Sequence, residues 1–91
     1  MGRSEKFHRL FAYAQLLFAA DTLKTFDQLA AWLNEQGITT NRGTPYSGGR
    51  GVAKLCNAAY DFVHDELGLG DEGAYPIAAV FTDRNGNHAY D

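Results

Sequence analysis

Arg50, Lys54, Asn57, Asp61 and His64 recur at three- and four-residue spacing, so a helix over this stretch presents all five on one face. The cations come first, the carboxylate and imidazole later. That polarity suits a helix that meets a polyanion with its first turns and leaves it with its far end. Arginine and lysine pair guanine edges and asparagine pairs adenine, each for roughly 1–3 kcal/mol of discrimination. Arg50 to Asn57 spans only about 10 Å of helix axis, which reaches one half-site of a duplex. Arg42 lies in the loop before this helix and Arg84 near the C-terminus, where both can add phosphate contacts. The plainer reading of the same residues is a solvated helix face with ordinary charges.

Three predicted helices position these groups. The first covers 5–20, with Ser4 as its cap and Phe7, Leu10, Phe11, Ala14, Leu17 and Phe18 on one buried stripe. Tyr13 and Leu16 fall off that stripe, which leaves either a central helix wrapped by the others or a dimer seam. The second covers 26–36. Thr25 and Gln28 form a Thr-x-x-Gln capping box, Phe26, Leu29, Ala30 and Leu33 face inward, Trp32 roofs the core and Gly37 ends the helix. Residues 38–47 are loop or short ribbon.

The third helix covers 48–67, capped by Ser47, with Val52, Leu55, Cys56, Ala59, Val63 and Leu67 inward. Gly48, Gly49 and Gly51 weaken its start by up to ~1 kcal/mol each relative to alanine, so something other than propensity must favour them, and close approach of backbone to a neighbour or to phosphate is the usual reason. Gly68 and Gly70 stop it. Residues 74–81 read equally as a short helix starting at Pro76 or as a strand. Asn85-Gly86 signals a two-residue hairpin turn, which sets Phe81 opposite Tyr90 and Asp83 opposite His88 in a small wing over 80–91.

The 91 residues make one domain, with 45% hydrophobic and 13% aromatic residues supplying an ordinary core. The formal net charge is −3, which runs against the basic balance usual for nucleic-acid binders. The charges are polarised, however. From Thr39 to Leu55 they are Arg42, Arg50 and Lys54; from Asp61 to Glu72 the carboxylates are Asp61, Asp65, Glu66, Asp71 and Glu72. A single cysteine, Cys56, excludes an intramolecular disulfide and points to a reducing, cytoplasmic setting. The apolar run from Leu10 to Ala20 is too short to span a bilayer.

Ala30, Leu33, Asn34, Gly37, Ile38, Thr40, Gly43 and Tyr46, followed by Val52, Leu55, Asn57 and Tyr60, form a spaced pattern. It resembles the helix-turn-helix segment that follows the catalytic domain of large serine recombinases. The resemblance covers about a third of the chain. It implies a DNA-binding role for the loop and third helix, through Arg42, Thr44, Arg50 and Lys54. No strand-exchange chemistry carries over, because the chain has no room for a recombinase catalytic domain. Together with the glycine-rich start of the third helix, where Ser47 to Gly51 can form an anion nest, the expected DNA-binding residues are Arg42, Thr44, Tyr46, Ser47, Arg50, Lys54, Asn57 and Arg84.

Other chemistries find little support. The Ser-Gly-Gly-Arg-Gly loop lacks the lysine-plus-hydroxyl ending of a P-loop. The polar run at Asp83, Asn85, Asn87 and Asp91 places Gly86 fourth, where a calcium loop needs it sixth. His8, His64 and His88 have no zinc-ligand spacing, and Cys56 sits on an apolar face. No catalytic residue, metal or cofactor is expected.

The expectation is therefore a mainly α domain: a three-helix helix-turn-helix or winged-helix-like unit with a small C-terminal β-hairpin. It would be homodimeric and would bind double-stranded DNA as a small transcriptional regulator or mobile-element accessory factor. The competing expectation is a protein-interaction module, of the kind phages and plasmids use to inhibit a host protein. It draws on the acidic balance and on the surplus apolar surface of the first helix.

Overall fold

The computed structural model describes residues 3–88. Its elements run α1 (Arg3–Ala19), β1 (Lys24–Thr25), α2 (Phe26–Glu35), α3 (Arg50–Asp61), a π-helical turn (Phe62–Glu66), α4 (Gly70–Val80) and β2 (Phe81–Thr82). The architecture is mainly helical, with four α-helices and one two-stranded sheet among the described residues. No helix among them is long and apolar enough to cross a membrane.

Helix α1 begins at Arg3, so Ser4 lies inside its first turn and is not its cap. Phe7, Leu10, Ala14 and Leu17 are buried as the stripe predicts. Phe18 is not: it is 48% exposed and meets Tyr75 edge-on at 5.8 Å between ring centres. The inward stripe ends at Leu17, and the partner it packs against most extensively is α4.

Helix α2 starts as its sequence dictates. Thr25 Oγ1 accepts from the Gln28 N–H at 3.1 Å and Gln28 Oε1 accepts from the Thr25 N–H at 2.9 Å. Its end is a Schellman motif: the Ile38 N–H reaches the Leu33 carbonyl at 2.9 Å and the Gly37 N–H the Asn34 carbonyl at 3.1 Å. Gly37 has φ +72°, and Ile38 and Leu33 are both fully buried. Trp32 stacks on Tyr13 at 4.1 Å, which gives the off-stripe tyrosine of α1 its partner.

Helix α3 starts at Arg50, two residues later than expected. Its cap is Gly49 at φ +89°, with no side-chain hydrogen bond, so Ser47 does not cap it. The predicted single helix to residue 67 resolves into α3 and the π turn, where the Leu67 N–H bonds the Phe62 carbonyl at 3.0 Å. Gly68 then breaks the chain at φ +68°, and α4 follows at once.

The ambiguous 74–81 segment is helix through Val80 and extended at Phe81. Pro76 sits inside α4 rather than starting it, at a backbone cost of about 3 kcal/mol. Burial of Ala74, Ile77, Val80 and Phe81 opposes that cost.

β1 and β2 pair in parallel, Lys24 with Phe81 and Thr25 with Thr82, which joins the linker after α1 to the chain after α4. The C-terminal return makes an antiparallel bridge between Thr82 and His88, one residue out of the predicted register. Tyr90, the expected partner of Phe81, lies outside the described residues. The register differs because the turn has three residues, not two. The Gly86 N–H bonds the Asp83 carbonyl at 3.1 Å and the Asp83 N–H bonds the Asn87 carbonyl at 2.7 Å. Gly86, at φ +87°, takes the third loop position that such a turn reserves for glycine.

Candidate nucleic-acid interface

The connection between α2 and α3 holds half of the predicted site residues, Arg42, Thr44, Tyr46 and Ser47, and it is far longer than the about three or four residues of a tight helix-turn-helix corner. Its first half is a closed turn. The Gly43 N–H bonds the Thr40 carbonyl and the Thr40 N–H bonds the Thr44 carbonyl, both at 2.9 Å. Thr40 Oγ1 accepts from the Thr44 N–H at 3.2 Å and shares a hydrogen bond with Thr44 Oγ1 at 2.7 Å. Gly43 has φ +82°. This is the same three-residue design as the turn at Asp83–Asn87, and each carries an arginine near its tip, Arg42 in one and Arg84 in the other.

The second half of the connection is tied to the helices by two side chains, Asn34 of the spaced pattern and Lys6 of α1. Asn34 Nδ2 donates to the Tyr46 carbonyl and Asn34 Oδ1 accepts from the Tyr46 N–H, both at 2.9 Å. Lys6 of α1 is only 6% exposed; its Nζ donates to the Thr39 carbonyl at 2.6 Å and to Tyr46 Oη at 2.9 Å. Tyr46 is consequently a buried core residue, not a surface contact. Lys6 was legible in principle. It stands four before Leu10 and eight before Ala14, which puts it on the inward stripe of α1.

The glycines before α3 have separate reasons. A Cβ on Gly48 would overlap the Asp27 carboxylate and come within 3.2 Å of the Asp27 Cα. Gly49 needs its positive φ. Gly51 needs neither: its φ is ordinary and a Cβ there would meet nothing within 4 Å.

Arg42, Arg50 and Lys54 are all exposed, and among the described residues none of them is paired with a carboxylate. Thr44 and Ser47 are exposed beside them. Arg84 is different. Its Nε donates to Asp27 Oδ2 at 2.9 Å, which fastens the C-terminal turn to the first turn of α2, although 85% of its side chain stays exposed. Asn57 is half-buried with its Oδ1 out of contact with solvent, so it does not offer the two amide atoms that reading an adenine requires.

The far end of α3 is acidic as the sequence predicts. His64 Nδ1 lies 2.7 Å from Asp65 Oδ1 and its Nε2 lies 3.4 Å from Asp71 Oδ1, while Tyr60 Oη donates to Asp71 Oδ1 at 2.7 Å. The hydrogen bond to Asp65, reinforced by the charges of Asp71, Asp65 and Asp61, holds the His64 imidazole above its ordinary pKa. Cys56 is buried and its thiol is pushed up to about 12 by desolvation. No group of three or more histidine, cysteine or carboxylate side chains among the described residues is placed to hold a metal ion.

A cleft of about 340 Å³ opens beside the start of α3, lined by Lys6, Thr40, Asn41, Tyr46, Gly51 and Lys54 together with Phe7, Leu55 and Ala58. It brings a buried cation of α1, the polar turn at Thr40–Thr44 and the first turns of α3 to one place. No family model, curated protein or solved structure matches this chain.

Proposed function

We propose that the protein binds double-stranded DNA with the first turns of α3 and the turn at Thr40–Thr44. One observation carries this reading: Arg42, Arg50 and Lys54 are exposed and without carboxylate partners among the described residues, while the acidic side chains gather at the other end of α3. Exposed cations without carboxylate partners are what phosphate attracts, and contacts of this kind give salt-dependent, largely sequence-independent affinity. In this reading β1, β2 and the Asp83–Asn87 turn act as a small wing, and a homodimer would present two such surfaces to two half-sites.

The test is fluorescence anisotropy with a labelled random duplex at low salt. Micromolar binding that weakens as salt rises, and that is lost in Arg50→Glu with Lys54→Glu, is expected. A flat titration up to tens of micromolar protein would sink the reading.

A second reading is favoured by a different surface. Leu16, Phe18, Leu23, Leu69 and Tyr75 are 48–70% exposed, and Phe18, Asp71, Glu72, Tyr75 and Pro76 line an apolar cleft of about 410 Å³. Here the protein is an interaction module whose α1–α4 face docks a protein partner. Charge reversal at Arg50 and Lys54 leaves that docking intact, whereas Phe18→Ser with Tyr75→Ser removes it.

A further inference from the structure

The Lys6 ammonium is buried, and its two acceptors among the described residues, the Thr39 carbonyl and Tyr46 Oη, are both neutral. An ammonium has three donors, so one remains. The Tyr46 ring, with its centre 5.2 Å from Nζ, offsets part of the cost of burying this cation without a counter-charge, and the cost falls further when an anion can reach it. Lys6 and Lys54 both line the cleft beside α3.

Gly51 is the second observation. It lines this cleft at the second residue of α3, where alanine would stabilise the helix, and no neighbouring atom or backbone angle in the fold requires a glycine there. Close approach of backbone to a ligand is a use of glycine that needs no cause inside the fold. The first turn of α3 also has no capping side chain and no acidic residue of its own, and the nearest carboxylate, Asp27, lies against Gly48 ahead of it, so the positive end of the helix dipole is left without a side-chain cap.

We propose that the cleft is a seat for one phosphate group, held by the Lys6 and Lys54 ammonium groups and the backbone N–H of Gly51, with Thr40 and Asn41 at its rim. This deepens the DNA reading and rests on it for the source of the phosphate, which is then one phosphodiester of the duplex backbone. A free phosphate or phosphate monoester has the same chemistry and is separated from it by experiment.

The informative variant is Gly51→Ala. Its methyl group enters open space, so the fold tolerates it and the thermal midpoint rises by a few degrees, while the same methyl adds bulk beside the N–H that the proposal gives to the phosphate. Duplex affinity should fall roughly tenfold, the scale of a lost hydrogen bond to a charged group. Inorganic phosphate titrated into ¹⁵N-labelled protein should shift the backbone amide of residue 51 saturably in the parent, and not in Gly51→Ala or Lys6→Met. Equal duplex affinity of parent and Gly51→Ala overturns the seat and leaves the DNA reading standing. A saturable Gly51 shift with no duplex binding establishes the seat for free phosphate and removes the DNA reading. Absence of both responses overturns both.

Discussion

Asn34 pairs with Tyr46 as one β-strand residue pairs with another: its amide donates to the Tyr46 carbonyl and accepts from the Tyr46 N–H, each at 2.9 Å. A side chain at the end of α2 thereby satisfies a segment of loop that has no strand beside it. The consequence is a fixed path for the chain from Tyr46 into α3. Asn34→Ala leaves both backbone groups without this partner, at a cost of about 1–3 kcal/mol. We expect a lower thermal midpoint and faster amide exchange at Tyr46, measured by native-state hydrogen exchange. Unchanged exchange would show that the loop is held otherwise.

Gly48 and Asp27 are coupled sterically. Gly48→Ala forces the Asp27 carboxylate to rotate away from Arg84 and should destabilise the fold, by more than the loss of the exposed Arg84–Asp27 pair, which contributes about 0–1 kcal/mol. Truncation of Asp27 to alanine should make Gly48→Ala less harmful. A double-mutant cycle in urea reads this as non-additivity; additive effects would contradict the proposed clash.

His64 makes stability pH-dependent. Its folded-state pKa is raised, so its contribution is fully present below the ordinary value near 6.5 and is lost as pH rises through the higher folded value. The thermal midpoint of the parent should therefore fall relative to His64→Gln as pH rises through that window. Parallel midpoint curves for the two proteins would exclude the imidazole as the cause.

Cys56 should be inert in the native state. It is buried in the core and its thiol, pushed up to about 12, holds almost no thiolate at neutral pH. Labelling by a thiol reagent should proceed only as fast as the protein opens, and should accelerate with urea in step with unfolding. Rapid labelling without denaturant would place the side chain at the surface.

Features whose causes are local were legible in the order of residues. The Thr25–Gln28 capping box, the Gly37 stop and the inward faces of α2 and α3 follow from interactions within about one helical turn, and all are present in the structure. So does the polarity of charge along α3, because helical spacing alone fixes which residues share a face. Tertiary structure decided whatever depended on a distant partner. Pro76 lies within α4 because α4 packs on α1, a contact no local preference encodes. The register at Thr82–His88 is set with β2 already paired to β1, and the Asp83 side chain closes the turn by accepting from the Asn85 and Asn87 N–H groups. Tyr46 and Lys6, 40 residues apart, meet only because α1 crosses the loop before α3. Polar side chains reveal their role through the one partner they reach, and chain order does not say which partner that is.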